Sequence, residues 1–405
     1  MAKRILVVSQ HFWPENFRIN DIVEGFLQDG LAVDVLCGLP NYPKGEWFDG
    51  FNAKGPLTGS YHGARVFRAK ELPRRGNTGA SIFLNYISWP LYARFALHRL
   101  PGNYDAVFCF NTSPVLMCWP AAVYAKKHGV PLTNYVLDIW PENLYSVLPV
   151  QNKLLRRLAA AVSDNLYKRA DRLVAMSEPL QARLMARTGK PAAKVAVIPQ
   201  YCEDFYAVPQ LDAALRARFG GRFNLVFTGT FTPAQSLETV IDAVQAARAA
   251  GAETLHLLLV GDGMSREALE KRVAECNAGG CVTFYGSVPA ADIPKFTALA
   301  DALIVCLSAS PDLGMTVPAK VASYMAAGKP VLASMDGAGF AAIQEAGCGY
   351  ASPACDAAAL AENLLALYRL PPAARAALGQ KAKDYYLAHY RRDILLRKLE
   401  DFILG

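Results

Sequence analysis

Short apolar runs rich in Val, Ile and Leu alternate along the chain with longer segments whose apolar residues recur every three or four positions. The first pattern is that of a strand buried on both faces, the second that of a helix laid on a sheet. Their alternation predicts parallel sheets flanked by helices. In the first half, strands are predicted at 4–10, 32–37, 65–68, 106–111, 131–137, 172–176 and 195–198. Helices are predicted over 19–29, 114–128 and 152–169, the last with Leu154, Leu158, Val162 and Leu166 on one stripe and Lys and Arg on the others.

The alternation pauses around 199–219 and restarts, with strands predicted at 223–228, 255–260, 282–285, 301–307 and 330–333. The expectation is an α/β chain of two Rossmann-like, doubly wound parallel-sheet domains facing across a cleft, covering 1–200 and 201–378. Beyond Pro371-Pro372 the pattern is purely helical, and the tail at 379–405 is expected to cross back to the first domain. Ligands of such sheets bind beyond the carboxyl ends of the strands, so candidate chemistry is sought there.

Composition narrows the classes. Hydrophobic residues make up 53% of the 405 and charged residues 19%, which supplies cores and excludes disorder. A formal charge of +7 suits anionic partners such as nucleotides or acidic lipid headgroups, but no block of like charge resembles a nucleic-acid arm. Nine scattered cysteines, without a Cys-x-x-Cys pair or a zinc spacing, fit a reducing compartment. The first apolar run is too short for a signal peptide and none spans a bilayer, so a cytoplasmic protein is expected.

One tetrapeptide occurs twice, each time just past a predicted strand: Trp13-Pro14-Glu15-Asn16 and Trp140-Pro141-Glu142-Asn143. His11 and Arg18 flank the first copy and Asp138 the second. Such loops suit a sugar site, because an indole covers an apolar face while carboxylates accept hydroxyl hydrogen bonds or a proton. In the second half, Gly229, Thr230 and Gln235 lie between a predicted strand and helix, and Gly261 and Gly263 repeat the strand-to-loop pattern. Without a third glycine this is no dinucleotide fingerprint. The segment from Gly314 to Val331 opens a helix near Val317, and Lys320 sets a cation beside a helix start, where N–H groups attract phosphate.

At these residues the chain resembles the family 4 retaining glycosyltransferases of the GT-B fold. Within that family the paired Trp-Pro-Glu loops, Ala234-Gln-Ser-Leu237 and the Pro318…Val331 segment look most like fucosamine-type transferases of bacterial O-antigen and capsule synthesis. The resemblance implies a donor base near Tyr285, Gly286 and Ser287. It implies a pyrophosphate against residues 229–235, the backbone at Thr316 and Val317, and Lys320. The family's paired glutamates align with Met315 and Ser323, its loop arginine and lysine with Thr230 and Gln235, and its histidine with Leu137. Asp138 is the candidate in that histidine's place. Glu15 and Glu142 are expected on sugar hydroxyls, and His11, Trp13, Arg18 and Trp140 on the acceptor. The sequence contains no Asp-x-Asp, so no cofactor and no metal are expected, and helix amides with Lys320 would meet the leaving group's charge.

The partners expected are a nucleotide-sugar donor, with UDP favoured, and a lipid-linked or saccharide acceptor, with no nucleic acid. The basic, aromatic segment from Arg74 to Arg99 reads equally as a peripheral contact with the inner face of the cytoplasmic membrane and as a buried helix. A sugar-nucleotide 2-epimerase and a non-catalytic partner subunit are the rival readings.

Overall fold

A computed structural model describes residues 2–147 and 152–405. The chain divides into two compact units, residues 1–198 with 396–405, and residues 199–395.

Unit 1 is built on an eight-stranded sheet. In chain order its elements are β1 (Arg4–Val8), α1 (Arg18–Gln28), β2 (Ala32–Gly38), β3 (Thr58–Tyr61), β4 (Ala64–Ala69), α2 (Gly79–Ala96) and β5 (Ala106–Asn111). There follow α3 (Cys118–His128), β6 (Leu132–Val136), α4 (Glu142–Val147), α5 (Lys153–Arg169), β7 (Arg172–Ala175), α6 (Glu178–Thr188) and β8 (Val195–Val197). The strand order is β3-β4-β2-β1-β5-β6-β7-β8, with every pair parallel except β3 with β4. The chain winds from β1 toward β2 and β4, then crosses back to β5. Neighbouring loops after β1 and β5 therefore diverge and leave a crevice, as at any topological switch point.

Unit 2 repeats the plan with six parallel strands. Its elements are α7 (Ala213–Phe219), β9 (Phe223–Thr228), α8 (Leu237–Ala249), β10 (Leu255–Val260), α9 (Arg266–Glu275), β11 (Val282–Gly286) and α10 (Ile293–Leu299). They continue with β12 (Ala302–Cys306), α11 (Ala319–Ala326), β13 (Val331–Ser334), α12 (Gly337–Ala346), β14 (Gly349–Ser352), α13 (Ala357–Arg369) and α14 (Pro372–His389). The order β11-β10-β9-β12-β13-β14 puts the switch point between β9 and β12. Strand residues alternate between two buried layers. Leu225, Phe227, Leu257 and Leu259 pack on Val240 and Val244 of α8 and Leu364 of α13. Val226, Leu258, Leu303 and Val305 pack on Val321, Tyr324 and Met325 of α11. Burial on both faces is why these strands read as continuous apolar runs.

The last helix, α15 (Arg392–Leu404), ends in unit 1. There Lys398 Nζ donates to the Val197 carbonyl (3.0 Å) and Arg172 Nη1 to that of Ile403 (2.8 Å).

Two strands have no counterpart in the sequence pattern. β3 (Thr-Gly-Ser-Tyr) and β14 (Gly-Tyr-Ala-Ser) lie at sheet edges, where one side lacks a neighbour and a polar, short strand suffices. The stripe on α5 also departs from expectation. Leu154, Leu158 and Val162 are exposed, and the buried side is carried by Ser163, Leu166 and Tyr167 near the helix end. Only that last third of α5 reaches the sheet layer.

Gly379 of α14 marks the tightest approach between α14 and the end of α11, since a Cβ there would stand 2.2 Å from the Gly328 carbonyl oxygen. Gly379→Ala is expected to lower the stability of unit 2 by about 1–3 kcal/mol, because backbone rather than a flexible side chain must yield. Urea unfolding monitored at both units checks this.

Candidate active site

The loop after β1 is held by buried polar contacts. His11 Nδ1 lies 2.8 Å from Glu15 Oε2, and the His11 ring stacks on Phe17. Glu15 Oε1 accepts the backbone N–H groups of Asn41 and Tyr42 (2.7 Å each), which ties this loop to the one after β2. Glu15 and His11 are thus buried and engaged. The direct contact with sugar hydroxyls expected of Glu15, and the acceptor contact expected of His11, give way to a bracing role. Trp13 precedes a cis bond to Pro14 and is exposed, its ring 5.7 Å from that of Tyr61. Arg18 opens α1, half-buried; burial raises the Tyr135 pKa, and the Arg18 charge opposes part of that rise.

The loop after β6 repeats the tetrapeptide and again has a cis Trp-Pro bond, but it is packed differently. Trp140 is buried: its N–H donates to Tyr167 Oη (3.0 Å), its indole Nε1 to Ser113 Oγ (2.6 Å), and its ring meets Tyr86 edge-on. Glu142 is paired with Arg183 (2.8 Å) and Arg187 (3.1 Å) of α6. Burial alone would raise its carboxyl pKa, yet the two guanidinium groups outweigh this and hold it below the ordinary value. A residue so clamped fixes α4 on α6. Within the chain, the contacts of Glu142 and Trp140 are these ion pairs and hydrogen bonds.

Asp138 is in a different state. Desolvation pushes its carboxyl up to about 6, and a hydrogen bond with Asn143 offsets part of the rise. Of the three carboxylates expected to act, Asp138 is the one that, among the described residues, has neither an ion pair nor a backbone amide donor. The fully buried Asn111 ends β5 alongside, with neither amide atom partnered, and its carbonyl accepts the Leu137 N–H (3.0 Å).

A buried network at the ends of β1, β2 and β4 has no forerunner in the sequence analysis. Glu71 accepts from Gln10 Nε2 (2.7 Å), Asn41 Nδ2 (2.8 Å) and Asn85 Nδ2 (3.0 Å). Burial, then the charge of Glu15, hold its carboxyl well above the usual range. Nothing around Glu71 in the chain announces this, because its partners come from three separate segments.

In unit 2 the loops after β9, β10 and β11 interlock through backbone. Phe231 N–H donates to Asp262 O (2.9 Å), and Gly261 N–H to Gly286 O (2.9 Å). Gly261 (φ 145°) and Gly263 (φ 159°) have conformations that side chains rarely adopt, and a Cβ on them would stand 1.9 Å from the Gly229 oxygen and 2.3 Å from the Phe231 oxygen. Their glycines serve close loop packing. Thr230 and Ser287 are exposed on these loops, and Tyr285 is exposed near the end of β11 with its ring edge-on to Phe296.

Lys320, in the first turn of α11, reaches back to the loop after β9. Its Nζ donates to Gln235 Oε1 (2.9 Å), stands 3.8 Å from the centroid of Phe227, and would be 3.0 Å from a Cβ on Gly229. Burial lowers its pKa to about 8, against a smaller opposing effect of Cys306. Thr316 and Val317 lead into the same turn, with Thr316 Oγ1 turned to the Leu313 carbonyl (2.8 Å), and Met315 ends a short 3-10 turn before them. Ser323 is buried one turn further, its hydroxyl turned toward the Ala319 carbonyl (3.5 Å). Gly229, Gln235 and Lys320 are thus brought together at the β9/β12 switch point.

Comparison with known proteins agrees with this arrangement. Residues 16–200 match the family described as "Glycosyl transferase 4-like domain", and residues 222–369 match "Glycosyl transferases group 1". The chain is 29% identical over 290 residues to the Probable glycosyltransferase WbjE of Pseudomonas aeruginosa, covering 68% of this chain and 70% of that protein. It is 27% identical over 323 residues to the GDP-mannose-dependent alpha-(1-6)-phosphatidylinositol monomannoside mannosyltransferase of Mycobacterium tuberculosis, covering 76% and 78%. Among solved structures it is similar to Anabaena HepE in complex with UDP, at TM-score 0.72 and 17% identity over 99% of both chains. The two sheets and these matches define a hexosyltransferase with the GT-B fold. The chain belongs to the family 4 glycosyltransferases.

If Asn143 stabilises the ionised form of Asp138, Asn143→Ala raises the Asp138 pKa above about 6. Carboxyl-carbon NMR titration of the wild type and the variant reads the shift directly.

Proposed function

We propose that this enzyme moves a sugar from a nucleoside diphosphate donor to a lipid-linked saccharide, with retained configuration and without a metal ion. The single observation that carries the reading is the Lys320 ammonium. It is half-buried, pinned between Gln235 and Phe227, and set at a sheet's switch point beside a helix start. Such a group is costly to keep charged unless an anion completes its shell. A diphosphate supplies that anion, and the cation in turn stabilises the charge that gathers on it as the bond to sugar breaks.

In the step proposed, an acceptor hydroxyl oxygen bonds to the anomeric carbon. The bond from that carbon to the diphosphate oxygen breaks, and its electron pair leaves on the diphosphate. The acceptor's proton passes to the Asp138 carboxylate, whose raised pKa suits a base working near neutrality. Trp13, exposed on the other strand-end loop of unit 1, covers an apolar sugar face. Tyr285 offers a platform for the base.

The proposed donor carries uridine, in keeping with the UDP in the Anabaena structure, although the mycobacterial relative is named for GDP-mannose. The lipid-linked acceptor is supported by the phosphatidylinositol monomannoside in that relative's name. An N-acetylated amino sugar of the fucosamine type, destined for a bacterial surface polysaccharide, rests on the resemblance of the paired loops and the Lys320 segment. A thermal-shift panel of UDP- and GDP-sugars tests the reading. Stabilisation by nucleoside diphosphate sugars that persists in EDTA supports it, whereas turnover that vanishes on chelation and returns with manganese or magnesium sinks it.

Two outcomes follow from the titrations. Donor binding favours the charged form of Lys320, so affinity falls as pH rises through about 8, by at most tenfold per pH unit. Lys320→Met removes that dependence and lowers kcat by roughly 10²–10³-fold. Calorimetry from pH 6.5 to 9.5 and steady-state kinetics measure both.

Asp138→Asn lowers turnover by about 10²-fold or more and abolishes an acid limb near pH 6. Its folded-state pKa lies above the unfolded value, so its stabilising effect is complete below about pH 4 and lost as pH rises through about 6. The variant's Tm at pH 7.5 is accordingly no lower than that of the wild type.

A further inference from the structure

α2, α3 and α5 connect β4 to β5, β5 to β6 and β6 to β7, all in the direction of β8, so right-handed crossovers place them side by side on one face of the sheet. The outer side of this layer is apolar. On α5, Leu154 is 74% exposed and Leu158 60%, and on α2, Phe95 is 73% exposed, with Phe83, Leu84 and Leu91 also exposed. Between the start of α3 and α5 lies a groove of about 440 Å³, lined by Leu116, Trp119, Val162 and Leu166. Isolated apolar residues on a surface need no explanation, but several large ones on each of two helices, α2 and α5, which flank α3, do.

The charges on this layer have one sign. No Asp or Glu occurs in residues 72–104, 106–137 or 152–163, in a chain that contains 35 of them. Exposed basic residues interleave with the apolar ones: Arg75 and Arg94 by α2, and Lys153, Arg156 and Arg157 on α5. The nearest acid along α5, Asp164, is paired with Arg187 (2.6 Å). Among the described residues no helix is long and apolar enough to cross a membrane.

We infer that the outer face of α2, α3 and α5 docks on an anionic lipid bilayer. Leu154, Leu158 and Phe95 enter the acyl boundary, and Arg94, Arg156 and Arg157 remain among the headgroups. A second copy of the chain is the poorer occupant, because a two-fold interface sets the same patch on both sides and would bring these cations face to face. Anionic headgroups neutralise all of them at once. The inference stands on exposure and charge, independently of the transfer reaction.

The test uses the full chain, with vesicles of equal phosphatidylglycerol and phosphatidylcholine against vesicles of phosphatidylcholine alone. Co-sedimentation with the anionic vesicles, weakened by salt, is expected. Leu154→Gln with Leu158→Gln lowers the partition coefficient about tenfold or more, and Arg156→Gln with Arg157→Gln removes the preference for anionic vesicles. Leu211→Gln, exposed in unit 2, changes nothing. All these residues are exposed, so melting curves stay unchanged, and turnover with a water-soluble acceptor is retained. That retention separates a failure of docking from a failure of the transferase reading. Absence of binding to anionic vesicles, or binding indifferent to the α5 substitutions, overturns the inference. So does a dimer in sedimentation equilibrium that the Leu pair dissolves while vesicles are ignored.

Discussion

A half-buried ammonium group is the constraint around which the strand-end loops of unit 2 are arranged. Lys320 stands where burial has already pulled its pKa down to about 8, and its shell consists of one amide oxygen, one ring face and a glycine. Each of these depends on other parts of the fold. Phe227 is a core residue of β9, Gln235 ends the short turn that leads into α8, and Gly229 must lack a Cβ. Gly229 keeps its position because Gly261 lets the loop after β10 lie directly against its carbonyl. The interlocked loops and the positioned cation are therefore one construction, and loosening the glycines would release the charge to solvent.

Unit 1 shows the same sequence put to two uses. Both Trp-Pro-Glu-Asn loops follow parallel strands and both contain a cis bond, yet one leaves its indole exposed and the other buries it beneath Tyr86. Their glutamates also differ in partners: Glu15 takes backbone amides of the next loop, while Glu142 takes two arginines of α6. In each case the carboxylate anchors a loop. Asp138, two positions before the buried Trp140, has no ion pair among the described residues, and burial raises its pKa to about 6. Spending the conspicuous carboxylates on structure leaves a less conspicuous one poised near neutral pH.

The helical layer of unit 1 departs from ordinary amphipathic packing for a related reason. α2 buries Tyr86 and Trp89 and yet exposes Phe83, Leu91 and Phe95, so the segment has one apolar side in the core and another apolar side left exposed. A helix apolar all round cannot be assigned a face from periodicity, because every face satisfies the pattern.

What the sequence by itself determined was the alternation of strand and helix, the two doubly wound sheets and the loops that matter. Continuous apolar runs such as 223–228 and 255–260 have few other readings when both faces of a strand are buried. Lys320, with Gly229 and Gln235, was legible because a lysine at a helix start is out of place in a purely structural helix. Tertiary structure alone decided which polar groups are spent. Glu71 is tied down by Gln10, Asn41 and Asn85, whose separations in the chain carry no pattern. Whether Glu142 meets an arginine, or Leu158 meets water, depends on which helix lies alongside. Periodicity reports the local period of the backbone, whereas a side chain's partner is set by contacts between segments that meet only when the sheets are wound.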